Sequence, residues 1–385
     1  MMLLGTLLAG RADGQIFVSS SNMVSAYNLD GTLVNASLVT GLNVPFGLAL
    51  SGNSLYVVNG NGTNGSVGKY DATSGVAINA TLITGLSQFP TVLAVSGSNL
   101  YVANSLPGGV ALYNATTGAS INPLFISGLS YTSGLAISGN DLYVPSQENL
   151  VFGDINKYDA TTGAAVSVPL ISGLLHAPEG LVVSGNILYE ANVTAGTIGT
   201  YNATTGAVIN ASFISGLSSP SQLALLGNRL FVSDRGAGTI GEYDATTGAT
   251  TNASLISGLS PNPWLGVAVR EPHSAQVQQP IDPDESSVFN VRRGVVPVKF
   301  TLTQGGAATC ALPLATIALT RTAGGTIGTV NESDYIGSAD IGSNFRIDSC
   351  QYIYNLSSGG LGAGTYRVDI KINNQVIGSG IFQLK

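Results

Sequence analysis

Few residues of this chain have the type and spacing that acid–base chemistry requires. His176 and Glu179 lie in one loop segment, L-L-H-A-P-E-G-L, and Glu190 follows eleven residues after Glu179. A histidine beside a carboxylate can transfer protons, so His176 with Glu179 or Glu190 is one catalytic hypothesis. The alternative is a surface histidine, with Glu179 filling a variable turn position and Glu190 paired with Arg235.

Carboxylates could also hold a metal ion. Glu179, Glu190 and Asp234 would supply oxygen ligands for calcium or another divalent ion if the fold brought them together. No cofactor is predicted, and the divalent ion is only an alternative, because the positions equivalent to Asp234 in most repeats are Asn or Ser. The chain has no G-x-S-x-G elbow, phosphate loop or H-E-x-x-H motif. The sequence therefore leans toward a protein that is not an enzyme.

A repeat positions these residues. Three anchors recur six times: an aromatic in a short apolar strand, a tyrosine followed by Asn or Asp, and L/F-I/V-S/T-G-L. Successive tyrosines of the second anchor are 42–45 residues apart. Each unit reads as four short strands joined by Gly, Asn and Asp turns. This pattern is typical of a propeller blade. We predict an all-β protein with a six-bladed β-propeller at residues 14–270.

The two ends of the repeat region complement each other. The first unit begins at its second strand, Gln15–Ser20, while Leu265–Val269 matches the missing first strand. We therefore predict that strands from both ends close the first blade, which also covers exposed strand edges. The segments Pro45–Ala49 (P-x-G-L-A) and Leu100–Asn104 (L-Y-V-A-N) resemble NHL-type and YVTN-type propellers. These families include binding modules, lyases and lactonases, so the resemblance implies a fold and no single activity.

One rim of such a propeller would carry polar and aromatic side chains together. The predicted binding residues follow the second strands or lie between blades: Asn59, Asn104, Asn192, Asp234, Arg235, Phe46, Phe89, Tyr131 and Trp264. Aromatic faces beside amides suit a glycan or a peptide, through stacking and hydrogen bonds. Two alternatives stay open: the polar residues cap their own turns, and the aromatics pack to close the channel.

The repeat stops after residue 270. Residues 271–287 read as a linker, and residues 288–385 show about seven alternating strands that predict an immunoglobulin-like β-sandwich. Pro297–Phe300 resembles the signature of the PxKF domain of bacterial extracellular proteins, which implies a secreted or cell-surface setting. Cys310 and Cys350 are the only cysteines, and we predict a disulfide between them, with a free pair as the alternative.

The charge balance excludes two classes of partner. The chain carries 14 Lys and Arg against 21 Asp and Glu, and its net charge is −7. Nucleic acids and anionic membranes are bound by clustered basic residues, so neither is a predicted partner. Residues 1–13 read as a truncated signal peptide, or else as an apolar first strand. No other segment approaches the roughly 20 apolar residues of a membrane span.

Together these features predict a secreted or cell-surface binding or scaffold protein without catalytic activity. The propeller rim would recognise a glycan or peptide. One alternative is a propeller lyase or lactonase with a channel metal and a His176–glutamate pair. A second is a structural matrix protein held by its repetitive β surfaces.

Overall fold

The computed structural model describes most of the chain. The described residues are 14–60, 65–86, 89–105, 108–147, 152–175, 178–259, 265–278, 280–281, 286–290, 295–304, 307–309, 315–330, 346–348, 350–358, 360–372 and 375–385. They contain strands and no helix, which confirms the all-β prediction. Gln15–Arg270 and Glu271–Lys385 belong to two separate compact units.

The described residues of the first unit form six four-stranded antiparallel sheets. Sheet 1 contains β24 (Gly266–Arg270), β1 (Gln15–Ser20), β2 (Met23–Asn28) and β3 (Leu33–Val39). Sheet 2 contains β4 (Leu48–Ser51), β5 (Ser54–Asn59), β6 (Gly65–Asp71) and β7 (Ala77–Leu86). Sheet 3 contains β8 (Pro90–Ser96), β9 (Asn99–Asn104), β10 (Gly108–Asn114) and β11 (Ser120–Leu129).

The other three sheets follow the same order of strands. Sheet 4 contains β12 (Ala136–Ser138), β13 (Asp141–Ser146), β14 (Phe152–Asp159) and β15 (Ala165–Leu175). Sheet 5 contains β16 (Pro178–Ser184), β17 (Ile187–Asn192), β18 (Thr197–Asn202) and β19 (Val208–Ile214). Sheet 6 contains β20 (Pro220–Leu226), β21 (Arg229–Asp234), β22 (Thr239–Asp244) and β23 (Thr250–Ile256).

The six sheets are arranged in a closed ring. The first strand of each sheet contacts the first strand of the next, in the order β24, β4, β8, β12, β16, β20 and back to β24. The predicted pairing of the two ends is present, because β24 pairs with β1 and brings Val269 opposite Ile16. Repeated four-stranded sheets in this order are consistent with a β-propeller. We call this unit the ring.

Turn chemistry explains the outer hairpin of each sheet. In sheet 2 the Asp71 carboxylate accepts the backbone N–H groups of Thr73 and Ser74 at 3.0 and 2.8 Å. Gly75 follows with a φ of +73°, and an added Cβ would overlap the Leu38 carbonyl of sheet 1. Only glycine fits both requirements, so the turn motif also sets how closely neighbouring sheets pack.

Tyrosine hydroxyls tie neighbouring sheets together. At four successive interfaces, a buried tyrosine of the second strand donates to a backbone carbonyl after the third strand of the next sheet. The pairs are Tyr56–Ala115 at 2.8 Å, Tyr101–Ala160 at 2.6 Å, Tyr143–Ala203 at 3.0 Å and Tyr189–Ala245 at 2.6 Å. Each hydroxyl leaves water and finds one acceptor in the adjacent sheet, so these bonds fix the spacing between sheets.

Arginines replace these tyrosine ties on both sides of sheet 1. Phe231 and Phe17 stand at the equivalent positions in sheets 6 and 1 and have no hydroxyl. Arg229 instead donates to the Leu29 carbonyl of sheet 1 at 2.6 Å. Arg270 of β24 donates to Asn53 Oδ1 and Thr73 Oγ1 of sheet 2, both at 3.0 Å. The sheet built from both ends of Gln15–Arg270 is therefore held by charged side chains.

The second unit contains two sheets in its described residues. Sheet 7 contains β25 (His273–Gln278), β27 (Val295–Gln304), β28 (Ala307–Thr309), β31 (Arg346–Asp348) and β32 (Gln351–Ser357). Sheet 8 contains β26 (Val288–Phe289), β29 (Ala315–Ala323), β30 (Gly328–Val330), β33 (Gly364–Ile372) and β34 (Gln375–Leu384). One apolar core includes Phe300 and Tyr352 from sheet 7 and Val368 and Phe382 from sheet 8.

Two predictions for the second unit need comment. Residues 271–287 were predicted to be a linker, but β25 pairs with β27 over six residues. The physical reason is alternation: His273 and Val277 are buried, so this stretch presents one face to the core. Cys310 lies outside the described residues. No described cysteine is a free thiol, but the pairing of Cys310 with Cys350 stays a prediction.

Candidate functional site

The repeat is least uniform where the first strand of each sheet begins, which we call the top end of the ring. One buried residue per sheet lies at this end. In ring order these six equivalent residues are Leu265, Phe46, Thr91, Ser133, Glu179 and Ser221. The order places Glu179 three sheets away from Phe46 in either direction. The top end is therefore apolar on the side of sheets 1 and 2 and polar on the opposite side.

The hydroxyl groups of this set serve the backbone. Thr91 Oγ1 donates to the Thr132 carbonyl at 2.9 Å, and Ser133 Oγ donates to the Pro178 carbonyl at 3.1 Å. Each bond links one sheet to the next. These hydroxyls hold the ring closed, so they are structural groups.

Glu179 is the only charged member of this set, and Arg235 neutralises it. Arg235 Nη1 of sheet 6 lies 3.1 Å from Glu179 Oε2 of sheet 5. Burial raises the pKa of Glu179, while the guanidinium opposes that rise. Both charges are largely removed from water, so losing either one would leave the other without compensation. The pair is thus a specific feature of sheets 5 and 6.

Tyr131 completes a polar cluster with this ion pair. Burial raises the pKa of the Tyr131 phenol, and the charge of Glu179 adds to the rise, while Arg235 and a hydrogen bond with Ser105 oppose it. Tyr131 is half-buried and has a φ of +37°, a conformation that L-residues rarely adopt. We call Ser105, Tyr131, Glu179 and Arg235 the top cluster. It combines an anion, a cation and a phenol at one place.

Most polar residues that follow the second strands fasten loops. Asn59 Oδ1 accepts the Asn43 N–H at 2.6 Å. The Asp234 carboxylate accepts the N–H groups of Ser218 and Ser219, both at 2.8 Å. Asn192 Oδ1 accepts the Ala195 N–H at 2.9 Å. This arrangement matches the alternative in which these side chains cap turns.

The candidate aromatics differ among themselves. Phe46 is buried in an apolar cluster with Val92 and Leu135, as expected if the aromatics pack within the ring. Phe89 is half-buried with a φ of +60°, and its carbonyl accepts the Ser105 N–H at 3.0 Å. Trp264 lies outside the described residues. Phe89 and Tyr131 are therefore the aromatics with partly accessible surface in the described loops.

Glu190 lies away from the top cluster, between sheets 4 and 5. It shares one face of β17 with Leu188, which packs against Tyr143 of sheet 4. Its side chain is 1% exposed, Oε1 has no hydrogen-bond partner, and burial raises the pKa of the carboxyl from 4.5 to about 8. A side-chain hydrogen bond with Asn192 partly opposes that rise. Glu190 is thus a neutral acid at pH 7 inside a core position.

Among the described residues, no contact brings together the side chains proposed for catalysis or for metal binding. His176 lies outside them, so its pairing with Glu179 or Glu190 stays untested. Arg235 forms its ion pair with Glu179, although Glu190 was the partner considered from the sequence. Glu179, Glu190 and Asp234 do not form a group of potential metal ligands in the part of the chain that is described.

Three further polar atoms near the top end are buried without a partner among the described residues. They are Asn104 Oδ1, Thr132 Oγ1 and Gln222 Nε2. Asn104 was predicted as a binding residue, whereas Thr132 and Gln222 were missed. The signal for Gln222 was in the alignment of the repeats, because glycine fills the same position in sheets 1, 2, 4 and 5.

Comparison with solved structures supports the fold. A chain from the crystal structure of a nidogen/laminin complex is similar, with a TM-score of 0.57 and 15% identity, covering 66% of this chain and 98% of that chain. The designed proteins Ika8 and Ika4 match with TM-scores of 0.43 and 0.35 at 19% and 18% identity. Those two matches cover 76% and 44% of this chain, and 79% and 99% of the designed chains. Because these two TM-scores are below 0.5, we draw no conclusion about the fold from these matches.

The first of these likenesses and the repeated four-stranded sheets together define a propeller-like all-β protein. No family model matches the chain, and no curated protein matches it. The resemblances to NHL-type, YVTN-type and PxKF proteins therefore remain predictions. Within the described residues, no helix has the length and apolar character needed to cross a membrane.

Proposed function

We propose that this chain is a secreted or cell-surface binding protein. Its ring acts as a six-bladed propeller that recognises a protein, peptide or glycan partner at the top end. Residues 288–385 act as an immunoglobulin-like spacer, stapled by a disulfide between Cys310 and Cys350. Most polar residues of the top end hydrogen-bond the chain's own backbone. A binding role requires no catalytic group.

The top cluster is the observation that carries this proposal. Six near-identical sheets would stack equally well with a neutral side chain at the position of Glu179, as the five equivalent residues are. Sheet 5 instead holds Glu179 against Arg235 of sheet 6, with Tyr131 of the loop that leads into sheet 4 beside them. A buried ion pair contributes little net stability compared with apolar packing. Its presence at the most variable end of the ring therefore favours recognition over stability.

The comparison supports the same role by analogy. The similar chain comes from a nidogen/laminin complex, so a ring of this type occurs in a complex between proteins. Fold analogy alone does not assign a ligand. The chemistry of this chain's own top end must therefore supply the specificity.

The proposal is tested by binding of the full chain to arrays of immobilised peptides and glycans. We expect binding that Tyr131→Ala weakens about ten-fold or more, as is typical when an aromatic anchor is truncated. Leu124→Ala, on the exposed outer strand of sheet 3, is the matched control and should bind normally. Thermal melts of both variants exclude misfolding. Absence of binding to every member of both arrays would overturn the proposal.

A structural matrix role is the second candidate, and one observation favours it. The outer strands expose large apolar side chains in five sheets, including Leu33, Ile78, Leu124, Val166 and Val208. Exposed apolar residues in a repeated pattern can support assembly. A matrix protein would form concentration-dependent assemblies in light scattering and would be indifferent to Tyr131→Ala.

A further inference from the structure

The outer strands of the ring carry a repeated motif that the top end does not use. The chain contains eleven Asn-x-Ser/Thr triplets, the sequence that accepts an Asn-linked glycan in secreted proteins. Five of the six outer strands hold an asparagine at the equivalent position, namely Asn35, Asn79, Asn122, Asn210 and Asn252. Four of these five begin a triplet, whereas in sheet 3 Pro123 and Leu124 follow the asparagine.

These four triplets are fully accessible. All three residues are exposed in each of them, at 35–37, 79–81, 210–212 and 252–254. In every case the asparagine Oδ1 accepts the backbone N–H of the third residue at 3.0 or 3.1 Å. Within the described residues, no hydrogen bond holds the side-chain nitrogen, Nδ2, of any of the four asparagines. The atom that would carry a sugar is therefore unpaired on an exposed residue.

The local turn accounts for the asparagine and not for the third residue. In sheet 3 the Leu124 N–H donates to Asn122 Oδ1 at 3.0 Å, which is the bond found in the other four sheets. A leucine thus completes this turn as well as a serine or threonine does. The third residues of the four triplets are nevertheless Ser37, Thr81, Ser212 and Ser254. An acceptor triplet needs such a hydroxyl, and the turn does not.

Two other triplets begin at asparagines that cap the outer hairpins. Asn114 Oδ1 accepts two backbone N–H groups at 2.9 Å, and Asn202 Oδ1 accepts two at 2.8 and 2.9 Å. Their middle residues, Ala115 and Ala203, are buried and accept tyrosine hydroxyls from the neighbouring sheets. These triplets are therefore parts of the contacts between sheets.

Burial also separates the remaining triplets on described residues from the outer-strand set. Asn192 is 7% exposed, and Leu356, in the middle of the triplet at residue 355, is 3% exposed. The triplets at residues 61, 64 and 331 lie outside the described residues. A glycan is bulky and hydrophilic, so a folded chain carries it only where the triplet stays in water, whether the sugar is added before or after folding. The outer-strand triplets meet this condition.

The outer strands also present edges that a glycan would cover. Each of them is the last strand of its sheet, and none of these six described strands contains Asp, Glu, Lys or Arg. Charged side chains commonly protect an edge strand against pairing with another chain. Exposed apolar side chains lie close in sequence to three of the triplets: Leu33, Val34, Ile78, Val208 and Ile209. A hydrophilic sugar on these strands keeps the edges of different copies apart.

We propose that Asn35, Asn79, Asn210 and Asn252 are attachment sites for Asn-linked glycans. The donor is an oligosaccharide joined through its anomeric carbon to a lipid pyrophosphate. A bond forms between Nδ2 and that carbon, the bond from the carbon to the pyrophosphate oxygen breaks, and Nδ2 gives up one proton as the lipid pyrophosphate leaves. The secretory pathway supplies the donor and the transferase, so this inference rests on the secretion included in the proposed function.

The test is peptide mapping of the full chain after secretion from cells that attach Asn-linked glycans. A glycosidase that releases these glycans in heavy-oxygen water converts each glycosylated asparagine to a labelled aspartate, which mass spectrometry detects. We expect the label at the four proposed positions in most molecules, and none at Asn114 or Asn202. Thr81→Ala should remove one glycan from the intact mass and leave the turn of sheet 2 in place. Thr116→Ala, the same kind of change in a hairpin triplet, is the matched control and should remove none.

Each outcome of the mapping has a definite meaning. A secreted chain without label at the four positions would overturn this inference, while the binding arrays would still decide the proposed function. Labels at Asn114 and Asn202 as strong as those at the four positions would also overturn it, because exposure would then not select the sites. A chain that carries the four glycans and binds no member of either array would overturn the proposed function alone.

Discussion

Glu190 should make the ring less stable at neutral pH than in mild acid. Burial raises the pKa of its carboxyl from 4.5 to about 8. At pH 7 the folded chain therefore holds a proton that the unfolded chain has released. An acid whose pKa is raised by folding stabilises the folded state fully below pH 4.5, and this contribution is lost as the pH rises through about 8.

The size of the effect follows from that window. Each pH unit over which only the folded chain keeps the proton changes the free energy of unfolding by about 1.4 kcal/mol. Between pH 4.5 and pH 7 the loss is therefore roughly 3 kcal/mol. Valine stands at this position in the other five repeats, and Glu190→Val removes the titrating group. The variant should be more stable at pH 7 and nearly equal to the parent in acid.

Urea unfolding at pH 4.5 and pH 7 measures this difference. Unfolding is followed by the fluorescence of Trp264, the only tryptophan, whose position in the sequence falls within the repeat region 14–270. Glu242→Gln is the control: it removes a different carboxylate of the ring, one paired with Arg229 at 2.6 Å, and keeps Glu190, so the loss that Glu190 causes should remain. An equal loss of stability between the two pH values in the parent and in Glu190→Val would refute the reasoning.

Three other substitutions test the contacts that hold the ring together. Tyr101→Phe removes a hydroxyl that donates 2.6 Å across to the next sheet, and should cost about 1 kcal/mol in urea unfolding; no change would show that the bond is replaced by water. Arg235→Ala leaves Glu179 buried without its partner and should cost about 3 kcal/mol. The double variant Arg235→Ala, Glu179→Gln should recover part of this loss in a double-mutant cycle, and strict additivity would contradict the pairing. Gly266→Ala places a methyl group against the Phe46 carbonyl and should lower the free energy of unfolding by about 2 kcal/mol or more. A variant with unchanged stability would show that the two first strands can move apart.

The repeat made much of the ring predictable. The sequence placed the second strand of the first unit at Gln15–Ser20, and β1 has these bounds. It also matched Leu265–Val269 to the missing first strand, and β24 spans Gly266–Arg270 in that role. Local patterns suffice here because strand period, turn residues and repeat length all act within one unit of sequence.

Contacts between sheets were not predictable in the same way. Arg229 and Arg270 replace tyrosine ties, but their acceptors lie 200 and 217 residues away in Leu29 and Asn53. The sequence showed only two arginines at strand ends. Likewise the linker prediction missed β25, because its partner strand follows only after a segment rich in Pro and Asp.

The sequence predicted which residues lie at the candidate site better than it predicted what each of them does there. Asn59 and Asp234 were named as binding residues, and the structure gives both of them backbone N–H partners. Their regular recurrence already indicated a structural role, since a side chain that every repeat carries at the same position stabilises the repeat itself. The residues that break the pattern, Glu179 and Gln222, carry the stronger functional argument, because no structural need of the repeat explains them.

The closure of the ring also determines the order in which its sheets can form during synthesis on the ribosome. Sheets 2 to 6 consist of consecutive strands and can form as each segment leaves the ribosome, whereas β1 must wait for β24, which follows more than 240 residues later. Until then sheet 1 lacks a strand, and sheets 2 and 6 each lack a neighbour on one side. Such unfinished edges are the surfaces on which chaperones and stray strands act during synthesis. The last five residues of the ring therefore end the period in which the nascent chain is most exposed to misassembly.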